Sequence, residues 1–265
     1  MTRTYRWATA PLLALSVAAP AFAQTAADDA APAPRRTRVT LGPQLTPSYP
    51  GADSVSLRPF IDLSRSRGAR PFAFEAPDES AGFGILSSNG FSAGPAIGFE
   101  GKRKSSKVGG VLPTVGVSVE LGGFVQYAFS DAVRVRAEAR QAVSGHKALV
   151  GSVGADYIWR DADRWLFSLG PRVTLASGKY ARTYYGVRGS DAAAAGLPAF
   201  DAGGGIQAVG VTAGTARVLS GPWGIYAYAK YDRLVDDAGR SPVVREFGSR
   251  NQLSGGVALS YTFGG

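Results

Sequence analysis

Apolar and polar residues alternate with a period of two along most of the chain beyond residue 38. In the closing stretch NQLSGGVALSYTFGG, Leu253, Val257, Leu259, Tyr261 and Phe263 share one parity, and Gln252, Ser254, Ala258, Ser260 and Thr262 share the other. A repeat of two belongs to a strand whose two faces meet different surroundings. The segment AVRVRAEARQA sets Val133, Val135, Ala137 and Ala139 against Arg134, Arg136, Glu138 and Arg140. Val117, Val119, Leu121, Val125 and Tyr127 likewise oppose Ser118, Glu120 and Gln126, while Val55, Leu57 and Ile61 oppose Ser56, Arg58 and Asp62. The pattern predicts strands near 38–45, 54–63, 70–76, 80–86, 90–100, 117–128, 132–142, 147–159, 164–176, 205–218, 223–233 and 251–263.

Several of these segments are longer than an ordinary soluble strand and match a tilted membrane-spanning one. The connections alternate in length. TPSYPGAD (46–53), GKRKSSKVGGVLPTVG (101–116), 177–204 and 234–250 are long, whereas SRSRGA, SSN, FSD, RDAD and LSGP are tight. Two connections on the long-loop side, near Ala76 and Ser144, are also short. Long loops at one end and short turns at the other predict an all-β fold, a transmembrane antiparallel up-and-down β-barrel of about 12 strands. Its last strand closes onto the strand near 38–45, so no edge is left open. A soluble β-sandwich would show the same alternation. The aromatics favour the barrel, because Tyr127, Tyr157, Trp159, Trp165, Trp223, Tyr261 and Phe263 all fall near strand ends on the short-turn side, as an interfacial girdle does.

Composition adds the compartment. Arg3 and Arg6 precede a short apolar run and the Ala21-Phe22-Ala23 site, a pattern that reads as a secretory signal peptide over residues 1–23. Residues 24–37, rich in Ala, Pro and Asp, read as a flexible periplasmic tail, with the barrel occupying 38–265. The chain has no cysteine, and its formal net charge of +9 comes from arginines and lysines scattered along strands. That distribution does not point to nucleic acid. It fits contact with anionic surfaces such as outer-membrane lipid and lipopolysaccharide.

Catalytic chemistry finds little support. The single histidine, His146, stands near Ser144 in VSGHKAL without a G-x-S-x-G context, and reads as a polar surface residue. A hydrolase using this pair is a distant alternative. With no cysteine and one histidine, neither a metal site nor a cofactor is expected. Glu75, Asp78 and Glu79 in FEAPDES read as a solvated loop, and Lys102, Arg103, Lys104 and Lys107 as a basic extracellular loop that either touches lipopolysaccharide phosphates or is a plain solvated charge run. The inward parity places Arg58, Glu120, Arg134, Arg136, Glu138, Arg140, Asp156, Arg172 and Lys230 in the lumen. There they either line a water-filled passage or neutralise one another in a filled interior. Among the loops, Tyr49, Pro50, Gly51 and Pro242 set turns, and Asp201, Arg245, Glu246 and Arg250 are candidates for ion pairs over the mouth.

GPQLTPSYPGAD near the start, ARTYYGV followed by AAAAGLPAFDAGGG, and SPVVREFGSRNQ before the last strand together resemble the MipA/OmpV family of MltA-interacting proteins. The resemblance spans the mature chain. It implies a cell outer membrane barrel without enzymatic activity, acting as a scaffold between a murein hydrolase and a peptidoglycan synthase. A small-solute channel with a basic lumen is the alternative. Tyr261 and Phe263 fit an assembly signal, displaced from the usual terminal aromatic by Gly264 and Gly265. Oligomeric state stays open.

Overall fold

A computed structural model of the chain describes residues 33–264. The expected signal peptide and most of the expected tail therefore lie outside the described residues, as does Gly265. The remainder forms one antiparallel sheet of twelve strands. These are β1 (Arg35–Pro47), β2 (Val55–Arg67), β3 (Ala81–Gly82), β4 (Leu86–Ser88), β5 (Phe91–Glu100), β6 (Ser118–Ala128), β7 (Val133–Ala142), β8 (Leu149–Asp161), β9 (Trp165–Ala176), β10 (Gly205–Ser220), β11 (Trp223–Leu234) and β12 (Asn251–Phe263). The order is up-and-down, and β12 pairs with β1 through Thr37↔Phe263, Val39↔Tyr261 and Leu41↔Leu259. One curled sheet, with no second sheet packed against it among the described residues, rules out the sandwich.

The period-two pattern explains the faces. Along β2 the odd residues point outward, leaving Leu57 72% and Ile61 69% exposed, whereas Phe60 and Ser64 are buried. In water such a surface would be unstable. Facing lipid, it is the apolar band of a membrane barrel. At the short-turn end the aromatics touch in series: Tyr157 with Trp159 at 4.3 Å, Trp159 with Phe167 at 5.4 Å, Trp223 with Tyr261 at 4.8 Å and Tyr261 with Phe263 at 4.6 Å. The connection from β4 to β5 is the Asn89-Gly90 turn, whose positive φ values suit those two residues.

The first strands depart from expectation. β1 begins at Arg35 instead of residue 38, because Arg35 to Thr37 pair with Arg67 to Arg65 of β2. The strand expected at 70–76 does not form. β3 and β4 are two pieces of one interrupted strand against β5, pairing Ala81↔Ile97 and Leu86↔Ala93. An ascending segment is still needed between descending β2 and descending β3–β4, and residues 68–80 supply it inside the barrel instead of in its wall. Pro71 and Pro77 cannot donate to a ladder, and Glu75, Asp78 and Glu79 break the alternation a wall strand needs. As a result no ladder joins β2 to β3, β4 or β5 among the described residues. Strand β12 closes onto β1 as expected, but the expected absence of an open edge is not met: the edge lies at β2.

The opposite end is covered. The long loops carry four short helices, α1 (Gly178–Tyr184), α2 (Gly189–Ala195), α3 (Asp236–Arg240) and α4 (Pro242–Phe247). Tyr49, Val108, Leu112, Val115, Tyr180, Tyr184, Tyr185, Leu234, Val243 and Val244 pack into a buried core over the mouth. Ser241 caps α4 by accepting from Val244 N–H, and its hydroxyl donates to the Tyr185 carbonyl at 2.7 Å, tying two loops together.

Candidate functional site

Ser118 and Glu120 on β6, the even residues of β7, Asp156 on β8, Arg172 on β9 and Lys230 on β11 all project into one interior because inward positions recur every second residue. There the charges meet in pairs. Arg136 lies 2.8 Å from Glu138, Arg140 lies 2.9 Å from Glu120, and Asp156 bridges Arg134 at 2.8 Å and Arg172 at 2.6 Å. Lys230 reaches Asp232 at 3.0 Å. Arg58, also inward, donates instead to the Ser48 carbonyl at the mouth, 3.2 Å away.

The inner segment 68–80, here called the strap, locks into this network at three levels. Near the short-turn end the Phe72 N–H donates to Asp163 at 2.9 Å, its carbonyl accepts from Arg160 at 3.1 Å, and its ring is covered by Arg38 at 4.4 Å. Higher up, Arg134 donates to the Phe74 carbonyl, stacks on the Phe74 ring at 4.6 Å and ion-pairs with Glu79. Deepest, Asp78 accepts from Arg172 Nε at 3.0 Å and Thr212 Oγ1 at 3.0 Å, with Lys230 Nζ at 3.3 Å. FEAPDES is therefore no solvated loop. Wall cations draw Asp78 and Glu79 inward, because paired charges in an enclosed interior are far cheaper than unpaired ones.

Two opposing influences set the strap's titration. Burial alone would raise the Asp78 carboxyl, but Lys230 and Arg172 outweigh it and hold the group below the ordinary carboxylate range. Glu75 touches no cation directly. Desolvation by its surroundings and then the negative charges of Asp62 and Glu79 push it up to about 7, although the residue keeps an exposed surface.

His146 and the mouth differ from expectation. His146 is buried, with Nε2 3.0 Å from Glu120 Oε1, Nδ1 accepting from the Ala148 N–H at 3.2 Å, and its ring edge-on to Tyr180. The Ala148 contact leaves the ring proton on Nε2, aimed at Glu120. Ser144 turns elsewhere: its Oγ accepts from the Val119 N–H and donates to the Val117 carbonyl. No hydrogen bond joins the two side chains among the described residues. Arg103 is likewise no part of an exposed patch; it is buried and donates to the Tyr184 and Pro113 carbonyls. Lys102, Lys104 and Lys107 do stay exposed.

Of the loop residues, Tyr49 is buried against the Phe247 and Lys107 carbonyls, and Gly51 donates its N–H to Gln252 Oε1 at 3.1 Å. Asp201, Arg245, Glu246 and Arg250 form no ion pair among the described residues. The loops are fastened instead by Asp237, which accepts from the Gly203 N–H at 2.7 Å and pairs with Arg240 at 2.7 Å. Sequence reasoning missed the roles of Asp237 and Gln252 and read Ser241 only as a turn residue beside Pro242, because Gly203, Gly51 and Tyr185, which these residues bind, lie on other loops.

Beside the strap, a cavity of about 1750 Å³ remains against β1, β2, β11 and β12, and Leu63, Phe83 and Phe99 line it where no ladder joins β2 to β5. Phe60 stacks on Tyr226 within it at 5.1 Å, and Tyr49, Tyr180, Tyr185 and Leu234 bound it toward the mouth.

The MltA-interacting protein MipA family matches residues 39–263, nearly the whole of the described barrel. The chain belongs to this family. It is an outer-membrane β-barrel protein, and its exposed apolar band is the lipid-facing surface of this MipA-family barrel. No curated protein sequence matches the chain. Among solved structures, an outer membrane channel from Pseudomonas putida F1 is 8% identical, with a TM-score of 0.40 over 88% of this chain and 95% of that one. Pseudomonas aeruginosa OprD is 8% identical, with a TM-score of 0.26 over 88% and 95%.

Proposed function

We propose that this MipA-family barrel is a non-enzymatic interaction protein that anchors murein-remodelling machinery, a lytic transglycosylase and a peptidoglycan synthase, at the outer membrane. The observation that carries this reading is the strap locked into one side of the interior beneath a covered mouth. The strap's carboxylates are bound to Arg134, Arg172 and Lys230, and the loop core covers the mouth, so the barrel has the build of a closed anchor. The family's description, MltA-interacting protein, supports a murein-active partner. The engagement of Ser144 and His146 with separate partners supports the absence of hydrolytic chemistry. Crosslinking intact envelopes and purifying the tagged barrel tests the proposal. Recovery of a lytic transglycosylase is expected, and a repeated failure to recover any murein-active enzyme would count against it.

The cavity favours a second reading, a small-solute channel. It runs from Tyr185 under the loop core to Arg36, Arg38 and Thr262 at the short-turn end. Conductance separates the two.

A further inference from the structure

At the short-turn end of the β1–β2 hairpin, three arginines project from the outer, lipid-facing surface. Arg35 stands directly opposite Arg67, and Arg65, opposite Thr37, completes a triangle. All three are exposed, and none makes an ion pair among the described residues. Like charges placed directly across a strand pair repel, so this arrangement weakens the hairpin unless an anion sits between them. Asp163, at the same end of the barrel, is engaged on the inner face by Arg36 at 3.0 Å and Arg160 at 3.5 Å.

The position identifies the anion. Immediately above the triangle the same outer face carries Val39 paired with Leu63 and Leu41 paired with Ile61, an apolar stripe suited to acyl chains. Beside it, across the β1–β12 seam, lie Phe263, Tyr261 and Trp223, the belt that marks the membrane interface. An anion at this level with acyl chains above it is a phospholipid of the leaflet facing the short turns. Guanidinium groups bind its phosphate by paired N–H donors, and Thr37 adds a hydroxyl. We propose that Arg35, Arg65 and Arg67 form a site for the phosphate headgroup of an anionic phosphodiester lipid, seated against Val39, Leu63 and Phe263.

The test is native mass spectrometry of the detergent-purified full chain equilibrated with equal amounts of phosphatidylglycerol and phosphatidylethanolamine. The wild-type barrel is expected to retain the anionic lipid over the zwitterionic one by about tenfold, given the attraction of clustered arginines to an anionic surface. R35Q/R65Q/R67Q is expected to lose that preference, and R35K/R65K/R67K, which keeps the charge without the paired donors, to keep only part of it. R164Q, which alters a turn arginine paired with Asp161, is expected to keep it fully. An unchanged melting temperature of the triple Gln variant shows that the loss is local. Equal retention of both lipids by wild type, or undiminished preference in the triple Gln variant, would overturn the site. Displacement of the lipid by soluble muropeptides would also overturn it and reassign the arginines to the cell wall.

Discussion

Arg172 on β9 holds Asp78 of the strap with its Nε 3.0 Å from the carboxylate, joining residues 94 apart in sequence inside the barrel. The same guanidinium reaches Asp156 of the wall at 2.6 Å, so the strap extends a network the wall already holds. D78A would leave Arg172 short of one partner and Lys230 with Asp232 alone. Breaking a buried pair from one side costs about 3–5 kcal/mol. Denaturant unfolding of the folded barrel should show a loss near that size for D78A and a smaller one for D78N, which keeps the hydrogen bond from Thr212.

Glu75 gives the strap a pH dependence. Its carboxyl is raised from the ordinary value to about 7, so the folded state holds this proton more tightly than the unfolded one. The stability tied to that proton is fully present below the unfolded carboxyl value and is lost as pH rises through about 7. Maleimide labelling of A73C on the strap, normalised to S130C on an exposed turn, should quicken between pH 6 and pH 8. E75Q should remove the change.

His146 and Glu120 form a buried hydrogen-bonded pair beneath the mouth core. H146A deletes the donor and leaves Glu120 with Arg140 alone, at a cost of about 1–3 kcal/mol. Thermal unfolding should report that loss. Ester hydrolysis by purified protein should be no different between H146A, S144A and wild type.

Phe263 ends the last wall strand, in contact with Tyr261 and outward-facing at the interface. F263A should lower the fraction of chain that reaches the heat-modifiable, folded form in outer membranes, whereas removal of Gly264 and Gly265 should not. Semi-native gel mobility reads both.

The long strands were legible because lipid on one side and a polar interior on the other impose a strict two-residue repeat. AVRVRAEARQA shows that repeat without help from any distant contact. The strap was not legible. FAFEAPDES has aromatics at Phe72 and Phe74 that imitate a strand, and only Pro71, Pro77 and three nearby acids hint otherwise. What turns the segment inward is the set of cations it meets on β7, β9 and β11, fixed by a topology no local pattern encodes. His146 misled for a related reason. A lone polar residue in a short loop reads as solvated, and its partner Glu120 lies on a neighbouring strand, 26 residues away in sequence.

Planar-bilayer recording of the purified full-length barrel tests the closed-anchor account most directly. Wild type should insert without conducting, and a variant with residues 70–80 replaced by a short Gly/Ser linker should open steady conductance steps. Stable ion-conducting steps from wild type, of the same size as those from the strap replacement, would contradict the account.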